Sequence, residues 1–386
     1  MWEIDEIIIL LILLFTRSFY FDNGIFKGEI IMKNLVILGG GYGGMKILNE
    51  LLPNHLPDDV KITLVDRVPY HCLKTEYYAL AAGTISDKEI RVDFPVHDRL
   101  EVKYGEVIAV ETSDRKVVMR DLEPIAYDEL IIGLGCEDKY HDVPGADQFT
   151  YSIQSIEKSR LTYSVLNNLG PESVVGIVGA GLSGVELASE LSESREDLNI
   201  KLFDRGQHIL SSFPERLSKY VENWFEKNTV EIINNSNITK VEENVLYNHG
   251  EPIHCDVIVW TAGIQANKVV RNMDGEKDGM GRLVLTPLHH LPNDEHIFIL
   301  GDCASLPHAP SAQLAEGQAE QIVEVLKRRW KGEEPPASFP QIKLKGILGS
   351  LGKKHGFGMM ADRAITGRVA RMLKTGILWM YKYHNG

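Results

Sequence analysis

Cysteine is scarce in this chain. Among 386 residues there are only Cys72, Cys136, Cys255 and Cys303, far apart and with no CxxC pair, which excludes a disulfide framework or thiolate metal site and points to a reducing compartment. Positive charge is short as well. Lys and Arg number 41 against 54 Asp and Glu, a net charge of −13, so the basic face that a nucleic-acid partner requires is missing. The apolar run Ile7 to Phe15 falls well below the ~20 residues of a spanning helix, and Glu3, Asp5 and Glu6 precede it where a signal peptide carries positive charge. Phe26 to Met32 back-translates to a purine-rich tract ahead of a start codon, so residues 1–31 are expected to be a leader read upstream of a true start at Met32. A short hydrophobic anchor is the alternative. With 44% hydrophobic and 25% charged residues, the remainder has the composition of a folded globular protein with room for two or three domains.

What is present is a pattern stated twice. Asn34-Leu35-Val36-Ile37-Leu38 reads as a strand buried on both faces and runs into Gly39-Gly40-Gly41-Tyr42-Gly43-Gly44, where Gly39, Gly41 and Gly44 satisfy G-x-G-x-x-G ahead of a helix. A second strand then ends at Asp66, 22 residues past Gly44, where a carboxylate can hold a ribose. Val174 to Val178 leads likewise into Gly179-Ala180-Gly181-Leu182-Ser183-Gly184, a helix, and a strand ending at Asp204, 20 residues past Gly184. A single fingerprint can be only a glycine-shaped loop; strand, glycines, helix, strand and acid repeated in order point to two adenine dinucleotides.

These residues resemble the two-dinucleotide-binding-domain flavoproteins, and among them the type II NADH:quinone oxidoreductases, from about Met32 to the C-terminus. The resemblance also rests on Asp66-Arg67-Val68-Pro69-Tyr70-His71, on Tyr77 to Gly83, on the strand and Thr-Ala-Gly turn of Cys255 to Gly263, and on Gly301-Asp302 within Ile297 to Ala304. It implies an α/β fold of two Rossmann-like domains, the NADH domain (146–270) inserted in the FAD domain (32–145 and 271–340), followed by a basic amphipathic segment (341–386). It assigns FAD to Gly39, Gly40, Gly41, Tyr42, Gly43, Gly44, Asp66, Val107, Gly301, Asp302, Ala312 and Gln313, and NADH to Gly179, Gly181, Gly184 and Asp204. Asp302, at the C-terminal edge of a sheet, is expected to face the flavin's polyol, capping of the following helix being the alternative. The carboxylate of Asp204 repels a 2′-phosphate and favours NADH over NADPH, although Arg205 stands beside it. Glu186, matching the acid of G-x-G-x-x-G-x-E, is the catalytic candidate for relaying a proton; compensation of a helix dipole is its structural alternative. No metal is implied, because the reactive atoms belong to the cofactors.

Two departures touch the acceptor side. Ser311 to Gln318 resembles an Ala-Gln-x-Ala-x-Gln quinone motif but carries Gly317 at the second Gln, with Gln318 one place later, and Gly133-Leu134-Gly135 replaces Ala-Thr-Gly. Cys72 is the one candidate for a single redox cysteine, while Cys136 and Cys303 read as small buried hydrophobes. Residues 341–386 carry a net charge of +8, leaving −21 on the rest. Arg368 to Tyr383 places Val369, Met372, Leu373, Ile377 and Met380 on one helical face and Arg368, Arg371, Lys374 and Lys382 on the other, the pattern of a helix lying on an anionic bilayer or packed on the protein's own core. The expected activity is NADH oxidation through FAD to a membrane quinone without proton pumping, at the cytoplasmic side of the cell membrane, with a homodimer left open. A soluble NAD(P)H-flavin oxidoreductase with oxygen, disulfide or sulfide chemistry, and a redox-sensing flavoprotein, are the alternatives.

Overall fold

The structure, a computed structural model, describes residues 32–385; the expectations for residues 1–31 lie outside them. Lys33–Leu38 is an aliphatic strand whose residues Leu35 to Leu38 are at most 1% exposed, as a strand covered on both faces must be. It occupies the middle of a six-stranded sheet in the order His290–Leu291, Asp294–Ile299, Glu129–Ile132, Lys33–Leu38, Val60–Asp66 and Leu100–Tyr104. All pairs are parallel except the edge pair formed by His290–Leu291. Val174–Val178 is the central strand of a second, wholly parallel sheet with Tyr151–Ser152, Val257–Trp260, Asn199–Phe203 and Val230–Ile233. The second sheet is thus built from chain lying between strands of the first. The fold is α/β with two Rossmann-like sheets. In each, the glycine turn leaves the central strand where its neighbours diverge, the crevice in which open parallel sheets bind ligands.

Helix α1 (Tyr42–Leu51) follows the first glycine turn and buries Met45, Ile47, Leu48 and Leu51; helix α2 (Leu182–Ser194) follows the second and buries Val185, Leu187, Ala188 and Leu191. Helix α3 (Ala312–Trp330) begins under a cap from Ser311, whose Oγ accepts from Leu314 N at 3.2 Å. Ser311, not Asp302, therefore caps α3. Residues 346–366 form a three-stranded antiparallel sheet (Gly346–Leu351, His355–Met360, Arg363–Thr366) ahead of helix α4 (Gly367–Asn385), a sheet the hydrophobic pattern does not announce because glycine alternates through it. No helix among the described residues is long and apolar enough to cross a membrane.

At the end of the first sheet away from its glycine turn, Glu129 opens its strand with Oε2 lacking any partner among the described residues. Burial pushes its carboxyl from 4.5 up to about 7, Arg329 and Lys33 pulling the other way. A raised carboxyl binds its proton more tightly in the folded chain, so stability is highest below the unfolded value and falls as pH climbs from there through about 7. Glu129→Gln is accordingly expected to add on the order of 1–3 kcal/mol at pH 8 and little at pH 4. Thermal unfolding at the two pH values measures this, and an equal gain at both would place the origin elsewhere.

Candidate functional site

The two glycine turns are superposable in their chemistry. Gly39 and Gly179 have φ of +98° and +103°, which only glycine adopts without strain. A Cβ on Gly44 would lie 2.2 Å from Gly39 O, and one on Gly184 1.9 Å from Gly179 O, so both are required for the helix to close on its strand. The middle glycines differ: a Cβ on Gly41 or Gly181 would meet nothing within 4 Å. Those two residues are the N-caps of α1 and α2, and neither helix start carries a side-chain cap. The result is an open face beside free helix-start N–H groups, which fits a pyrophosphate.

Each acid is held alike. Asp66 accepts from Gly40 N at 2.7 Å and Val68 N at 3.0 Å, and Asp204 accepts from Ala180 N at 2.9 Å and Gly206 N at 2.7 Å. Burial raises the Asp66 carboxyl, and these backbone donors offset only part of that rise. Gly105 N donates to Asp66 O at 2.9 Å, which brings Val107, buried itself, to the same edge. On the far side of each turn the returning strand makes matching contacts: Gly133 N donates to Leu38 O, and Thr261 N to Val178 O, both at 2.8 Å. The departure at Gly133-Leu134-Gly135 therefore leaves the backbone turn in place.

Gly301–Cys303 forms a single turn after Asp294–Ile299. Its Gly301 N donates to Oε1 of the fully buried Gln318 at 2.8 Å. Gln318 is thus a support for the Gly-Asp turn and no substitute for the missing Gln at 317. Asp302 Oδ2 lies 3.4 Å from Lys74 Nζ, which also donates to Cys136 Sγ at 3.0 Å. Burial pushes the Cys72 and Cys136 thiols up to about 11 and 12, so both stay protonated at neutral pH and neither is a nucleophilic thiolate. Tyr42 packs edge-on against His71, ring centroids 4.9 Å apart. His71 Nδ1 donates to Gly40 O at 2.9 Å, leaving Nε2 to accept from Tyr381 OH at 3.1 Å. Burial lowers this imidazole to about 4, so it is neutral.

The structure corrects the orientation of the tail helix. Arg371, Lys374 and Lys382 face the protein, Arg368 stays exposed, and most of the large apolar residues face out. Lys374 pairs with Glu186, lies 3.7 Å from Glu76 and donates to Tyr78 OH at 2.8 Å; Arg371 donates to Ser350 Oγ at 2.6 Å and lies 3.7 Å from Glu190. Glu76, Glu186 and Glu190 are each at most 4% exposed, and a buried carboxylate demands a counter-charge. That demand outweighs the apolar pattern. Val369, Met372, Ile377, Trp379, Met380 and Tyr383 are left 50–72% exposed. Farther along α4, Tyr381 reaches His71 and Asn385 accepts from Asn49 of α1 at 2.7 Å. Helix α4 thereby ties the helix of one glycine turn to that of the other.

Glu186 also accepts from Ser350 N at 2.8 Å, and burial pushes its carboxyl up to about 7 against the pull of Lys374. The side chains brought together around it, Lys374, Glu76, Tyr78 and Ser350, were not legible as functional from sequence. Among the sequence-predicted positions, Ala312 and Gln313 open α3, and Gln313 is engaged with backbone: it donates to Gly346 O and accepts from Lys345 N, both at 2.8 Å.

The model of the pyridine nucleotide-disulphide oxidoreductases matches residues 33–319. The chain belongs to that family. It is 70% identical over 355 residues to the NADH dehydrogenase-like protein YutJ of Bacillus subtilis, covering 92% of this chain and 100% of the relative. It is 27% identical over 426 residues to the type II NADH:quinone oxidoreductase of Haemophilus influenzae, covering 91% and 94%. Its fold is similar to that of NDH2 from Plasmodium falciparum solved with NADH, with a TM-score of 0.78 at 15% identity over 91% of this chain and 96% of that one. The chain is an NADH-dependent oxidoreductase with FAD and NADH as cofactors, and the paired open cradles fit one dinucleotide each.

Proposed function

We propose that this protein oxidises NADH and delivers the electrons to a membrane quinone without pumping protons, working as a peripheral protein on the cytoplasmic face of the membrane. The observation that carries the acceptor and its location is the outward apolar face of α4, fastened across both glycine-turn helices. A lipid-soluble acceptor requires the site to sit at the bilayer, and an exposed stripe bearing Trp379 and Tyr383 suits that interface. The names of the type II NADH:quinone oxidoreductase relatives support the reading.

On this reading the first cradle, with Asp66, Val107 and the Gly301-Asp302 turn, holds FAD, and the second, with Asp204, holds NADH in preference to NADPH. FAD supplies the two-electron carrier between reductant and acceptor. The residues of the chain position it: His71 and Tyr381 fix the carbonyl side of the first turn, and Gln318 fixes Gly301. With its carboxyl pushed up to about 7, Glu186 can take up or release a proton near neutral pH, within the hydrogen-bonded set of Lys374, Tyr78 and Ser350.

The test is anaerobic mixing with NADH, which should bleach the flavin, followed by a menaquinone analogue in vesicles, which should restore its colour. Because Arg371 and Lys374 point inward, attachment is expected to be chiefly apolar: once the exposed Arg368 is replaced by Gln, neutral and anionic vesicles should bind within about twofold of each other. Met372→Glu with Trp379→Glu should abolish flotation with vesicles and spare ferricyanide reduction. A steep, salt-sensitive preference for anionic lipid that persists in Arg368→Gln would contradict the inward orientation of Arg371 and Lys374.

A further inference from the structure

Between α3 and the C-terminal sheet the chain has no regular structure, yet residues 340–345, with Gly346 where the sheet begins, are pinned along one stripe of α3. Gln313, Gly317 and Gln321 are spaced by four and stand one above another on that helix. Gln321 Nε2 donates to Pro340 O at 2.9 Å, and Gln313 donates to Gly346 O and accepts from Lys345 N, both at 2.8 Å. Between these clamps Ile342 lies over Gly317, where a Cβ would come within 2.6 Å of Ile342 Cγ2. Glycine at 317 is therefore the seat of Ile342. A larger residue there forces Ile342 out of its seat.

The covered stripe begins at the end of α3 whose opposite face packs against the first cradle. The first turns of α3 stand on the Gly-Asp turn, with Ala315 Cβ 3.5 Å from a Cβ built on Gly301, and Ala315 O 3.3 Å from one built on Gly43 of α1. An acceptor approaching that end of α3 along the face of Gln313 and Gly317 meets the strap first. The strap is lightly held: lifting it exchanges four hydrogen bonds, one of them between Gln341 and His308, for bonds to water and exposes the half-buried Ile342 and Leu344.

We propose that residues 340–346 form an acceptor-selecting lid, in which Ile342 seated on Gly317 closes the α3 side of the site to a quinone headgroup while leaving small outer-sphere oxidants unaffected. The proposal rests on the reading that the acceptor is a quinone. The reaction it gates takes the hydride of NADH and one proton from solvent, and returns NAD⁺ and the quinol, the quinone being the oxidant that receives both electrons and both protons.

The experiment uses the full-length holoenzyme. Ile342→Ala removes the seated side chain, and Gly317→Gln displaces the strap by its Cβ. A reporter, Ile342→Cys, at the half-buried position over Gly317, reads strap exposure through its rate of maleimide labelling, independently of turnover. Labelling should accelerate about tenfold in the Gly317→Gln background, and both variants should raise kcat/KM for a menaquinone analogue by a similar factor. Anaerobic flavin reduction by NADH and ferricyanide turnover should hold constant in Ile342→Ala. Faster labelling with an unchanged or lower quinone kcat/KM overturns the lid. If NADH bleaches the flavin and no variant reduces the quinone, the acceptor reading falls and the lid falls with it.

Discussion

Replacing Lys374 with methionine is expected to lower stability by about 3–5 kcal/mol at pH 8, because it leaves the buried carboxylates of Glu186 and Glu76 facing each other with no counter-charge. The loss should shrink at pH 5. Without Lys374 the Glu186 carboxyl, already pushed up to about 7 by burial, rises further and is protonated there, so it no longer needs a cation. Adding Glu186→Gln to the Lys374→Met variant should recover part of the loss at pH 8, since the amide carries no charge. Denaturant unfolding of the single and double variants at both pH values decides the matter. Equal losses at the two pH values, with no recovery in the double variant, would mean that Lys374 contributes packing alone. The same contacts predict that cutting the chain at residue 340 destabilises what remains: Glu76, Glu186 and Glu190 lose their cations together, and Tyr381 leaves His71.

Alanine at Gly41 and at Gly181 should separate the two cradles with a large and selective effect. Both glycines have ordinary backbone angles, φ −74° and −72°, and neither Cβ would touch the protein, so folding should be preserved. The added methyl instead occupies the face against which a pyrophosphate must lie. Gly41→Ala is expected to purify colourless. Gly181→Ala should keep its yellow colour and lose NADH affinity by about a hundredfold or more, read from the NADH dependence of anaerobic flavin bleaching. Gly44→Ala and Gly184→Ala, by contrast, collide with backbone carbonyls and should fail to fold. A Gly41→Ala protein that remains fully flavinated, or a Gly181→Ala protein that loses its colour, would break the assignment of cradles to cofactors.

Much of this molecule could be read along the chain. Strand, glycine turn, helix and terminal acid are consecutive, and their requirements are local. A Cβ at Gly44 is excluded by Gly39 five residues away, and Asp66 reaches back to the very turn that precedes it. Such short-range sterics leave a mark in the order of residue types, which is why the two cradles, their acids and the Gly-Asp turn were legible. The amphipathic helix of the tail was legible too, as a periodicity.

Which face of that helix turns inward was not. Periodicity separates two faces and is silent about what each will meet. The answer lay in carboxylates more than 180 residues away in sequence, Glu186 and Glu190, whose burial requires cations. Gln318 and Gly317 tell the same story. One reads as a displaced motif residue and is the buried support of Gly301; the other reads as a loss and is the seat of Ile342. Residue order specified the elements and the two dinucleotide cradles through local backbone geometry. Only tertiary packing decided how charges and side chains from distant segments were paired, because the desolvation of a buried group is settled by whatever neighbours the fold brings to it.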